Sequence, residues 1–315
     1  MDPAQMQAIA ERVGPDLAFL AEALKPDPAA PKARVSNTTV FSAISGCPGM
    51  SAIGKDVEAK TAEIEGALKR SGCLTDELDK LEGTPRRSAL LIYWKLFQKH
   101  PSMLKELEAA PVTLEQKTDE LISEVVQMGT KLLMQAQMLV PNFRWIEATL
   151  AVARSSALIA NQLWSNEDAA SVEEQRRILE DEQLRMPKLS LAVEIKPMDG
   201  TEILPGKKAT VNVNVTREHT GNTGAAAGPQ GIFEAYWLFL QSKKEQGQPD
   251  LLVGAQPVVV KDLEQKVMKL QVGFMAPPAG KWELTAHVIS TSVAGVDYSM
   301  DAAFEVVEDD VPELK

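Results

Sequence analysis

Two hydrophobic periods divide this chain. Up to about residue 184, apolar residues recur at spacings of three and four, the period of a helix with one buried stripe. Met6, Ile9, Val13, Leu17, Leu20 and Leu24 form such a stripe over 3–24. The prolines Pro26, Pro28 and Pro31 end it, because proline cannot continue a helix. A mixed stretch follows. Ser51 is placed to cap a helix reaching Arg70, with Ile53, Val57, Ile64 and Leu68 inward and Gly72 closing it. Thr75 opens a short helix, and Gly83-Thr84-Pro85 opens another that carries Leu90, Leu91, Trp94 and Phe97. After Pro111, Thr113 and Gln116 form a capping box ahead of Leu121, Val125, Met128, Leu132 and Leu139. Pro141 suits the first position of the next helix, whose face is Phe143, Ile146, Leu150, Ala153, Ala157 and Leu163. A charged helix over 172–184 reads as an exposed connector.

From Pro187 the period becomes two. Leu189, Leu191, Val193 and Ile195 alternate with polar residues, as do Val211, Val213 and Val215. The same alternation recurs at Met268, Leu270, Val272 and Phe274, and at Trp282, Leu284, Ala286 and Val288. Alternation places successive side chains on opposite faces of a sheet. Turn signals separate these runs at Gly200, Pro205-Gly206, 221–231, Gly247–Pro249 and Pro277–Gly280. The pattern predicts an α+β chain, helices followed by a C-terminal β-sandwich; the family resemblance given below implies that these are an N-terminal helical bundle and an immunoglobulin/fibronectin type III-like β-sandwich. The expected boundaries are an N-terminal helical segment 1–84, a helical bundle 85–186, and a sandwich with an acidic tail, 187–315. Trp237 and Trp282 are expected to pack inside or along the sheet. Truncating Trp237 is expected to unfold the β unit and leave the helices in place.

Charge narrows the partners. The 315 residues carry 33 Lys and Arg against 44 Asp and Glu, a net charge of −11. That sign repels phosphate backbones, so no nucleic-acid partner is expected. Cys47 and Cys73 do not make a disulfide framework and lack metal spacing. No apolar run approaches the ~20 residues of a membrane span, and the first residues lack the basic start of a signal peptide. The sequons Asn37-Thr38-Thr39 and Asn214-Val215-Thr216 therefore read as coincidence.

One segment imitates a phosphate-binding loop. Gly49-Met50-Ser51-Ala52-Ile53-Gly54-Lys55 has the spacing, but Asp56 stands where a Mg²⁺-binding hydroxyl belongs and would repel phosphates. His100, His219 and His287 are far apart in sequence and accompany no nucleophile motif. His287 falls on the strand face opposite Leu284, Ala286 and Val288, which predicts a solvent-facing or rim position. No catalytic residue, cofactor site or metal ligand is assigned.

The run Gly231-Ile232-Phe233-Glu234-Ala235-Tyr236-Trp237-Leu238-Phe239-Leu240 resembles the Sec-sixty-three domain, where an acidic residue is followed closely by paired tryptophans; Tyr236 stands for the first. Further matches are Met186–Leu191, Leu251-Leu252, Ala276–Gly280 and Ser290–Asp297, with Thr291 and Val293 where the family has Asp and Tyr. The resemblance spans roughly 85–307 and is diffuse in the helices. The family's His-Pro-Asp J-domain triplet is absent; His100-Pro101-Ser102 lies in another setting. The resemblance implies a non-enzymatic scaffold for protein translocation at the cytosolic face of the endoplasmic reticulum. Its implied partners are the protein-conducting channel and other translocon subunits, with no membrane span in this chain. The alternative is a regulatory cassette of a Ski-two-like RNA helicase. Glu308, Asp309 and Asp310 of the acidic tail are the expected partner-binding residues.

Overall fold

The structure is a computed structural model that describes residues 14–52, 58–114, 116–138, 145–165, 167–181, 185–218, 234–244, 247–260 and 265–308. The expected positions Met6, Ile9, Val13, Ile53, Val57, Leu139 and Phe143, and the 221–231 loop, lie outside them. Helices occupy the first part: α1 (14–23), α2 (Asn37–Ser45), α3 (Glu58–Arg70), α4 (Asp76–Asp79), α5 (Gly83–Phe97), α6 (Pro101–Ala109), α7 (Gln116–Met138), α8 (Ile146–Asn161) and α9 (Ala169–Asp181). Strands follow: β1 (Leu189–Pro197), β2 (Lys208–Arg217), β3 (Ala235–Ser242), β4 (Leu251–Val259), β5 (Val267–Met275), β6 (Gly280–Ser290) and β7 (Asp297–Val306).

Local chemistry explains the helices that the periodicity missed. In the stretch read as mixed, Ser36 Oγ accepts from Thr39 N (3.0 Å) and starts α2, which buries Val40, Phe41 and Ile44. The β-branched Thr38, Thr39 and Val40 conceal this helix from propensity. Helix α6 has Pro101 in its first turn and His100 as its cap, with Nδ1 accepting from Ser102 N (3.2 Å). Helix α8 is buried on almost every side and ends where Gln162 turns left-handed at φ 54°.

The strands form two antiparallel sheets, ordered β1-β2-β5 and β4-β3-β6-β7. Val193, Val213 and Leu270 stand in register across the first. Its inner residues Val211, Val213 and Val215 pack with Tyr236, Leu238, Leu240, Ala286 and Val288 of the second. The sheets approach closely: a Cβ on Gly254 in β4 would lie 2.5 Å from Val272 Cγ1 in β5, so only glycine fits.

The expected helical bundle followed by an immunoglobulin/fibronectin type III-like sandwich is corrected here. The molecule is a mixed α+β fold in which helices and sheet share a core. Phe239, Ile289 and Ala294 from the sheet half belong to the same buried cluster as Phe41, Leu91, Trp94, Val152 and Leu158. Trp237 packs on that cluster too and stacks on Phe239, centroids 5.6 Å apart. The reason lies in β3. Its sequence Ala-Tyr-Trp-Leu-Phe-Leu is apolar on both faces, so one face joins the inter-sheet core and the other must be covered. Helix α8 covers it, lying against β3, β4 and β6.

Candidate functional site

Polar contacts cross the same junction. Arg154, the basic residue of the largely apolar α8, donates from Nε to Asp297 Oδ2 at the start of β7 (2.6 Å). Asn161 Nδ2 donates to Ser292 O (2.8 Å), and Gln175 Oε1 in α9 accepts from Ala294 N (3.0 Å). Lys32 pairs with Asp250 just before β4 (2.9 Å), and Ile146 N at the start of α8 meets Asp250 O (3.5 Å). Buried hydrogen bonds of this kind each contribute about 1 kcal/mol net and fix the docking geometry.

Beside these ties lies a cleft of 280 Å³, lined by Arg34–Thr38, Arg154, Trp164, Ser165 and Glu167. Ser36–Thr38 bring the N-terminus of α2 into its lining, with the Thr39 N–H already capped by Ser36 Oγ. Arg34 pairs with Glu167, both exposed at 52% and 60% of their side-chain area. Trp164 is 8% exposed, and its indole N–H is buried without a hydrogen-bond partner. Glu147 sits under the electrostatic reach of Arg34 and Arg154, yet burial outweighs both and pushes its carboxyl above the usual range.

Three further constellations are satisfied within the fold. His287 Nε2 lies 2.6 Å from Gln241 Oε1, whose Nε2 donates to Asp250 Oδ2 (2.7 Å). Burial, with Arg154 nearby, lowers the imidazole to about 4. At the sheet's end Arg217 and Glu234 form a buried two-point ion pair (2.7 and 2.6 Å), and the Tyr236 hydroxyl donates to the same carboxylate (2.8 Å). Cys73 Sγ lies 3.5 Å from His100 Nδ1, and burial pushes the thiol up, away from the reactive thiolate.

The sequence-level candidates fall as follows. Glu308 is exposed after β7; Asp309 and Asp310 lie outside the described residues. In the phosphate-loop mimic, Pro48–Ala52 is a 3₁₀ turn whose Gly49 N–H is held by Asp16 Oδ1 (2.8 Å), and Lys55 lies outside the described residues. Of the two positions expected for His287, solvent-facing or rim, the structure shows the second: the residue is half-buried, on the side of the sheet that the helices cover. Sequence reasoning passed over Arg34, Arg154, Trp164 and the Arg217–Glu234 pair. A signal existed for Arg217, the next inward position after Val211, Val213 and Val215, where a lone arginine calls for a buried partner. Among the described residues no helix is long and apolar enough to cross a membrane, and no group of three His, Cys, Asp or Glu side chains is placed to hold a metal.

No protein-family model and no curated protein matches the chain. Among solved structures it is similar to the CARDB domain of a Pyrococcus furiosus protein in complex with di-metal ions, at 14% identity and TM-score 0.26, covering 39% of this chain and 96% of that one. A β-glucosidase from Listeria innocua in complex with glucose aligns at 14% identity and TM-score 0.23, over 38% of this chain and 16% of that one. The putative ApaA protein of Bordetella pertussis aligns at 11% identity and TM-score 0.23, over 40% and 98%. At such scores these likenesses carry no argument about function.

Proposed function

We propose that this chain is a non-enzymatic interaction module, a platform that docks a protein partner carrying basic segments. The net charge of −11 carries this reading, because it attracts cationic surfaces and repels nucleic-acid backbones. The helix-to-sheet ties support it as well: a platform whose halves do not slide keeps a docking surface in register. The sequence resemblance to the Sec-sixty-three domain supports a cytosolic loop of the protein-conducting channel as the partner and the endoplasmic-reticulum surface as the site of action. The acidic tail at Glu308, Asp309 and Asp310 is its electrostatic hook. Complementary charge acts on encounter and is screened over ~8 Å at physiological salt. Deleting 308–315 therefore lowers the association rate with the channel's basic loops, and the deficit shrinks as salt rises. Surface plasmon resonance at two salt concentrations checks this. Equal rates for both chains at low salt exclude the tail, and failure to capture the channel from solubilised membranes excludes the translocon partner.

A further inference from the structure

We infer that the outer face of the β1-β2-β5 sheet carries an intramolecular docking site for the chain's own acidic C-terminal segment, residues 309–315. Met275 and Met198 are the two most exposed large apolar side chains among the described residues, at 60% and 54%. They flank one position. Lys208 on β2 pairs with Met275 on β5, and its carbonyl accepts from Met198 N just after β1 (3.1 Å), so the row reads Met198, Lys208, Met275. Ala209, the next residue on β2, is wholly buried, which turns this row outward. The rest of the face is open as well, since every second residue of β1 and β5 is exposed. Lys207 and Lys208 have no acidic partner among the described residues. An apolar pair beside two unpaired lysines fits a segment that is both apolar and acidic.

The place where the chain leaves the sheet selects the occupant. β7 stops at the end of the fold that carries this row: Val306 shares a buried cluster with Ile203, Ala209 and Phe274, and Val307 N donates to Ile203 O (2.9 Å) in the loop between β1 and β2. From there the seven residues 309–315 reach up to ~23 Å, whereas three adjacent strands span only ~10 Å. Composition matches the row. Asp309 and Asp310 bring charge to Lys207 and Lys208, and Val311 and Leu314 bring apolar contact. Pro312 biases Val311 toward extended and polyproline backbone. In polyproline II geometry residues three apart share a face at ~9 Å, close to the ~10 Å between β1 and β5 across β2. Val311 and Leu314 therefore reach the two methionines together, and flexible thioethers adapt to such contacts. Asp199 and Glu202, exposed on the loop after Met198, repel the acidic run and leave the lysines as its place. A docked tail has its carboxylates engaged, so a basic partner must displace it; this consequence rests on the tail's role as the hook.

Methyl NMR of the methionine-labelled full chain, and of a chain lacking 309–315, tests this latch. Met198→Leu and Met275→Leu assign the two resonances. Docking within one chain predicts that both methyls shift on deletion, while Met103, wholly buried among the helices, does not. It also predicts full-chain positions that do not depend on protein concentration. The synthetic peptide Asp309–Lys315, added to the truncated chain, restores those positions saturably. Lys207→Gln with Lys208→Gln weakens that binding by about threefold to tenfold, the worth of two exposed pairs. Val311→Ser with Leu314→Ser in the full chain reproduces the effect of deletion. Identical Met198 and Met275 resonances in full and truncated chains overturn the proposal. So does a shift that appears only as protein concentration rises, which gives the face to a second copy's tail. The hook fails separately: equal association rates at low salt with shifted methyls exclude the hook and keep the latch.

Discussion

At the residue scale, the fold is specified most sharply where charge is buried. Arg217 and Glu234 are almost fully excluded from water, so each needs the other. Removing one leaves an uncompensated buried charge, which costs about 3–5 kcal/mol. Arg217→Met should therefore lower the stability by that amount in denaturant unfolding. The double change Arg217→Met with Glu234→Leu should recover much of it, and equal losses in single and double variants would contradict the assignment. His287 gives a pH dependence. Its folded value of about 4 lies below the ordinary 6.5, so the neutral form is the one the fold stabilises. That contribution is complete above pH 6.5 and is lost as pH falls toward 4. It amounts to about 3 kcal/mol at most. Thermal melts of wild type and His287→Gln between pH 7 and 4 should show the steeper decline in wild type; parallel declines would remove His287 from the account.

At the scale of elements, the alternation of apolar residues made most strands legible, and helix breakers made most helix ends legible. What was not legible has a physical reason in each case. The second face of β3 was the decisive loss. Trp237 and Phe239 were visible as large apolar residues, but alternation alone does not say what covers them. Without that cover the expected sandwich stands apart from the helices, whereas in the structure α8 lies against β3, β4 and β6. Helix α2 was hidden because its stability comes from the Ser36 cap and the burial of Phe41 and Ile44, not from propensity. The cleft rests on that same helix end, so it was hidden with it. Arg154 was readable only as an exception, a basic residue inside the largely apolar α8.

At the scale of the whole molecule, charge and cohesion set the behaviour. A chain of net charge −11 should associate with basic peptides at rates that fall with salt and should show no measurable affinity for single-stranded or duplex RNA at physiological salt. Fluorescence anisotropy with labelled RNA and with a basic peptide separates the interaction-module reading from the helicase-cassette reading. Cohesion is the central claim, because a shared core makes helices and sheet one cooperative unit. The earlier expectation for Trp237→Ala, loss of the β unit alone, changes accordingly.

Phe239→Ala tests that claim most directly. Phe239 is wholly buried on the helix side of β3, and truncating such a residue costs about 3–5 kcal/mol. Hydrogen exchange on the full chain, read by mass spectrometry, reports each element separately. The shared core predicts that protection falls together in α8, in β3 and in β6. Protection lost in the strands while α8 exchanges as in wild type would contradict it.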